Sequence, residues 1–245
     1  MNEPILIINL KTYPEGTGKN ATKLLKAAEA CTNDNIILAV QAIDIRTLSK
    51  KTKVPIFAQH VDAMEEGNKT GHLTIHSIKD AGAQGTLINH SEHRISEEQI
   101  KKTIELCKKY NLLTVLCAET PEEAEKFSIY SPDFIAIEPP ELIGGDISVS
   151  RAKPEVITNT VNKVPTIKVL CGAGVKTKDD AKKAIELGSK GLLVASGIVK
   201  AKQQKKAIKE LLDGMTGKIT PEKEKPKKEE KASAPSEPIT ENKEN

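Results

Sequence analysis

Eight short runs rich in Ile, Leu and Val recur along the chain, each followed by a longer amphipathic stretch. They span Ile5–Leu10, Ile36–Val40, Pro55–Gln59, Gly85–Asn89, Leu112–Cys117, Phe134–Ile137, Ile167–Cys171 and Gly191–Ala195. None alternates between polar and apolar residues. Strands of that kind are buried on both faces, as in a parallel sheet covered by helices. The stretches between them carry helix signals. Ser96 stands three residues before Gln99, the spacing of a capping box, and Lys108-Lys109 suit the negative end of the same helix. Thr177 and Asp180 repeat the device, with Gly188 as the stop. Pro154 fits a first helical turn. Eight strand candidates, each followed by a helix candidate, predict a closed α/β barrel of (β/α)8 type over residues 1–215. An open doubly wound sheet is the alternative. It usually has fewer units and a glycine-rich turn after its first strand, whereas here the first strand runs into NLKTYPEG.

Composition alters this picture at one end only. Residues 216–245 contain almost no large apolar side chain and mix Lys and Glu with Pro. Such a segment cannot bury enough surface to offset its ordering entropy, so a disordered, solubilising or tethering tail is expected. Its charges nearly cancel, and the whole chain carries only +3. That balance gives no electrostatic case for nucleic acid. With no signal peptide and no apolar run of membrane-spanning length, a soluble cytoplasmic protein is expected, with no membrane partner. Cys31, Cys107, Cys117 and Cys171 form no C-x-x-C pair and are expected as reduced, mostly buried thiols.

In such a barrel the chemistry sits where strands end. Asn9 and Lys11 follow the first run, His90 the fourth, Glu138 the sixth, CGAG the seventh and ASGI the eighth. Singly, each has an ordinary reading: a surface lysine, a structural histidine, a capping carboxylate, a tight turn. Together they would gather at one rim. Glu138 is followed by the stiff Pro139-Pro140 and then by Gly144-Gly145, an arrangement that suits a fixed base beside a moving flap. Gly172, Gly174 and Ala195-Ser196-Gly197 precede helix starts and would offer backbone N–H groups to an anion, above all a phosphate. Three other motifs fail. PEGTGKN lacks the first glycine and the Ser/Thr of a nucleotide-binding P-loop, and CGAGVKT has Thr177 where a dinucleotide fingerprint needs its third glycine. His72 and His76 have i,i+4 spacing, but no Glu follows His72 as a zinc protease motif requires.

Taken in order, NLKTY, NHSEHR, EPPELIG, CGAG and LLVASGIVKA resemble the triosephosphate isomerase family over nearly the whole domain. FAQHVDA and EPPELIG are similar to its archaeal branch. The resemblance implies a TIM barrel that interconverts dihydroxyacetone phosphate and glyceraldehyde 3-phosphate through an enediolate, without metal or organic cofactor. It assigns Glu138 as base, His90 as electrophile and Lys11 as the fixed cation, with Asn9 beside it and Glu92 as a supporting carboxylate. It places Ile143, Gly144, Gly174, Ala195 and Ser196 at the substrate phosphate. His90, ahead of a helical start, would be neutral. Gly67–His72 resembles a loop that reaches into a neighbouring subunit, with Thr70 near the partner's lysine, so a homodimer at least, and a tetramer by analogy with archaeal relatives, is implied. Two departures stand out: Gly145-Asp146 at the end of the lid, and His93 in place of the first of two usual arginines. Another phosphate-binding barrel enzyme, or a barrel serving as an interaction protein through its tail, remains the alternative reading.

Overall fold

A computed structural model of the chain describes residues 4–31, 35–142 and 148–217. The eight apolar runs form β1 (Ile5–Asn9), β2 (Ile36–Val40), β3 (Ile56–Ala58), β4 (Gly85–Ile88), β5 (Leu113–Ala118), β6 (Phe134–Ile137), β7 (Lys168–Cys171) and β8 (Gly191–Val194). They pair in parallel in chain order, and β8 closes onto β1 between Ile5↔Gly191 and Ile8↔Val194. The sheet is therefore a closed barrel and not an open one. Alternate residues along the strands separate into two packed clusters. One, including Ile5, Ile7, Ile37, Phe57, Val115 and Leu170, fills the barrel. The other, including Leu6, Ile8 and Leu38, meets helix residues such as Leu24, Ile100 and Ile157. Burial on both sides explains why the runs are continuously apolar.

The helices are α1 (Lys19–Glu29), α2 (Ala42–Ser49), α3 (Ile75–Asp80), α4 (Glu97–Lys109), α5 (Pro121–Ser128), α6 (Val149–Ala152), α7 (Pro154–Lys163), α8 (Lys178–Glu186), α9 (Ser196–Val199) and α10 (Gln204–Thr216). Two strands depart from the expected one-to-one alternation. β6 is followed by α6 and α7, and β8 by α9 and α10. The additional helices, α6 and α9, are single turns at the strand-end rim, and α10 closes the outer ring by packing on α8 and α1.

Both expected capping boxes form. Ser96 Oγ accepts the Gln99 N–H at 3.3 Å, and the Ser96 N–H donates to Gln99 Oε1 at 2.9 Å. Thr177 Oγ1 accepts the Asp180 N–H at 3.1 Å, and the Thr177 N–H donates to Asp180 Oδ2 at 3.0 Å. Gly188 follows α8 with φ 98°, where a Cβ would be strained. His72 and His76 do not share a helix. His76 lies on α3, but His72 precedes its cap Thr74, and each imidazole faces its own carboxylate, Asp62 at 3.4 Å and Glu66 at 2.6 Å. Among the described residues no group of His, Cys, Asp and Glu is arranged to hold a metal, and no helix is long and apolar enough to cross a membrane.

Candidate active site

All eight strands are parallel, so their C-terminal ends share one rim. Asn9 is the last residue of β1, Glu138 directly follows β6, and Ala195 directly follows β8. Asn9, Lys11, His90, Glu138, Gly174 and Ala195 line a single open cavity of about 490 Å³, joined by Ser196. The residues that the sequence placed at five separate strand ends thus meet in one space.

Lys11 adopts φ 46°, a conformation uncommon outside glycine. Three contacts hold it there. Its N–H donates to Asn9 Oδ1 at 3.0 Å, its carbonyl accepts from Gln59 Nε2 at 3.0 Å, and the same Gln59 nitrogen donates to Ala39 O on β2 at 3.2 Å. The ammonium then reaches Glu92 Oε1 at 2.6 Å. The Lys11 side chain is 12 % exposed and that of Glu92 58 %, so the pair stabilises the fold little; its consequence is where the cation stands.

His90 is carried by a turn built on Asn89. That residue takes φ 60°, donates through Nδ2 to Cys117 O at 3.2 Å, and accepts the Ile95 N–H at 3.1 Å. The Glu92 N–H donates to His90 Nδ1 at 3.2 Å. An Nδ1 that accepts a hydrogen bond presents its lone pair there, an arrangement that favours the tautomer with the proton on Nε2. The contact that fixes the tautomer is not the one expected from a helix start. The next helix, α4, begins only at Glu97; the polarising N–H belongs to the 90–93 turn, closed by His93 N–H to His90 O at 2.7 Å. Nε2 faces Glu138 Oε1 at 3.7 Å, so donor and base address the same space.

Glu138 is 4 % exposed. Its N–H is anchored on Ala118 O at 2.8 Å, and its Oε2 has no hydrogen-bond partner. Burial raises its carboxyl above the usual range, against the opposing pull of His90, the Cys117 thiol and Lys11. A poorly solvated carboxylate with an uncommitted oxygen is a stronger base than one in water. The aliphatic part of Glu138 lies over Gly172, where a Cβ would come within 2.4 Å of its Cγ. Gly172, read from the sequence as clearance for a ligand, is therefore glycine because Glu138 occupies that volume.

Opposite these groups lie the ends of β7 and β8. Gly174 takes φ 69° in the loop after β7. Ala195 caps α9, and the first N–H groups of that helix, on Ser196 and Gly197, have no acceptor within it. Such donors beside a glycine turn suit a phosphate. Ile143 and Gly144, expected at the same phosphate, lie outside the described residues, as do Gly145 and Asp146. Sequence reasoning missed Gln59 and Asn89. An Asn at a strand end, able to adopt positive φ, was a usable signal for the second. Gln59 had none, because its partners lie 20 and 48 residues away.

A parallel eight-stranded barrel with a buried carboxylate, an imidazole and an ammonium beside backbone donors at one rim has the make-up of a barrel enzyme of small anionic substrates. A family profile described as triosephosphate isomerase matches residues 4–211. Curated triosephosphate isomerases from archaea are similar over most of their length. That of Methanothermus fervidus is 44 % identical, covering 88 % of this chain and 100 % of its own. That of Methanocaldococcus jannaschii is 43 % identical, covering 85 % and 98 %. The crystal structure of triosephosphate isomerase from Bartonella henselae shares the fold with a TM-score of 0.68 at 20 % identity, covering 87 % of this chain and 99 % of its own. The chain belongs to the triosephosphate isomerase family, and with it to the isomerases.

Proposed function

We propose that the chain interconverts dihydroxyacetone phosphate and D-glyceraldehyde 3-phosphate, with Glu138, His90 and Lys11 as its catalytic residues. Glu138 takes the proton from the carbon next to the carbonyl and returns it to the neighbouring carbon. His90 donates through Nε2–H to the carbonyl oxygen as charge develops there, then serves the adjacent oxygen. Lys11, steadied by Glu92 and Asn9, balances the phosphate dianion and the enediolate. Backbone N–H groups around Gly174, Ala195 and Ser196 receive the phosphate, and Ile143 and Gly144 complete that contact. The observation that carries this reading is the convergence of Asn9, Lys11, His90, Glu138, Gly174, Ala195 and Ser196 on one cavity. A general base contributes on the order of 10²–10⁴ in rate, and donors fixed before the charge develops supply much of the remainder.

The proposal extends to a homo-oligomer in the cytoplasm. Gly67–His72 is exposed, and its neck is tied by Asp62, which accepts the Leu73 N–H at 2.6 Å and donates its own N–H to Leu73 O at 2.9 Å. A tied, protruding loop of this kind supports docking on a second copy, with Thr70 at the contact. Four free cysteines, three of them buried, fit a reducing compartment. A coupled assay with D-glyceraldehyde 3-phosphate tests the function. Turnover is expected in the full chain and should collapse in Glu138→Gln; absence of turnover in the wild-type chain overturns the reading.

A further inference from the structure

We propose that Asp180 is a positioning residue for substrate phosphate: it holds the loop after β7 and the segment Ser148–Arg151 in one fixed relation. This rests on the phosphate assignment above and goes further, to a residue that touches no substrate. Asp180 is only 5 % exposed. Its Oδ2 accepts the N–H groups of Lys176 at 3.2 Å and Thr177 at 3.0 Å. Its Oδ1 accepts Ser148 Oγ at 3.1 Å and Arg151 Nε at 2.7 Å. Its carbonyl accepts Ser150 Oγ at 3.1 Å, and the two serine hydroxyls lie 2.9 Å apart.

A helix cap requires only part of this set. The capping box of α8 uses the Thr177 N–H and one carboxylate oxygen. The other oxygen serves α6 and its cap, a separate segment. Ser148 and Ser150 are 1 % and 0 % exposed, so no water stands ready to replace the carboxylate. The Val149 N–H adds a bond to Ala173 O at 3.1 Å, inside the CGAG turn. Burial by itself would raise the Asp180 carboxyl, but hydrogen bonds from Thr177, Lys176 and Ser148 outweigh it and hold the group below its usual range, so it stays charged. The loop it secures carries Gly174, Val175 and Lys176, all on the cavity wall. Displacing such a loop by about 1 Å is enough to cost on the order of a hundredfold in a positioned reaction.

The test compares the full chain with Asp180→Asn, Ser148→Ala and Ser148→Thr. Each is assayed with D-glyceraldehyde 3-phosphate, with D-glyceraldehyde, which lacks the phosphate, and for inhibition by inorganic phosphate. The melting temperature is followed with and without that phosphate. In Asp180→Asn, the KM for the phosphorylated substrate and the phosphate inhibition constant should rise together, by roughly tenfold. Ser148→Ala should show a smaller rise, and Ser148→Thr, which keeps the hydroxyl, should restore it. Turnover of D-glyceraldehyde should be unchanged throughout. Equal proportional losses on both substrates, or unaltered phosphate inhibition, overturn the proposal. If Asp180→Asn does not fold, Ser148→Ala decides, because it leaves the α8 cap intact. If the wild-type chain lacks turnover, the proposed function falls, and the phosphate-induced rise in melting temperature, smaller in the variants or not, decides this inference alone.

Discussion

Lys11 pays for its position in backbone strain: a non-glycine residue held at positive φ costs about 1–3 kcal/mol, and Asn9 and Gln59 supply the bonds that hold it. Glu138 bears a parallel cost in lost hydration. Its native pKa is raised above the ordinary value of 4.5, chiefly by burial. The native state therefore keeps the proton to higher pH than the unfolded chain does. The stability attributable to the protonated group is full below the unfolded pKa and is lost as pH rises through the folded one. Glu138→Gln cannot ionise, so its stability relative to the wild-type chain should grow as pH rises through that window. Denaturant titrations at several pH values check this; a difference independent of pH would show that burial does not weigh on the carboxylate. The charged and aromatic groups of the site were legible because each stands just past an apolar run. Gln59, Asn89 and the volume above Gly172 were not, since each is defined by a partner from another strand.

At the scale of elements, local chemistry was the better guide. The two capping boxes and the strands, apart from their end residues, follow from residues near one another in the chain. Ser96→Ala removes one cap from α4 and leaves its buried Ile100 and Ile104 in place. The expected loss is about 1 kcal/mol, a fall of roughly 2–4 °C in melting temperature, with turnover kept. Calorimetry and the coupled assay read both; a much larger loss would show that Ser96 does more than cap. The doubled helices after β6 and β8 escaped a reading by periodicity, because a single turn such as α6 or α9 is too short to show a period.

At the scale of the molecule, Thr70 carries the remaining prediction. Thr70→Glu should place a charge in the proposed contact, lower the mass in solution measured by light scattering, and leave the helical circular dichroism unchanged; an unchanged mass would remove the loop from assembly. The eightfold alternation of strand and helix, the closed barrel it implies, the two-sided burial of the strands and the polar groups at strand ends were determined by sequence alone, because side-chain period and strand-end position are local properties of a chain. Tertiary structure alone decided that Gln59 fixes the Lys11 backbone, that Glu138 loses its water while the Glu92 N–H turns onto His90 Nδ1, and that Asp180 binds two segments about thirty residues apart. Each of these depends on groups that meet only after folding, when water has been excluded and distant backbone donors have been turned toward one another.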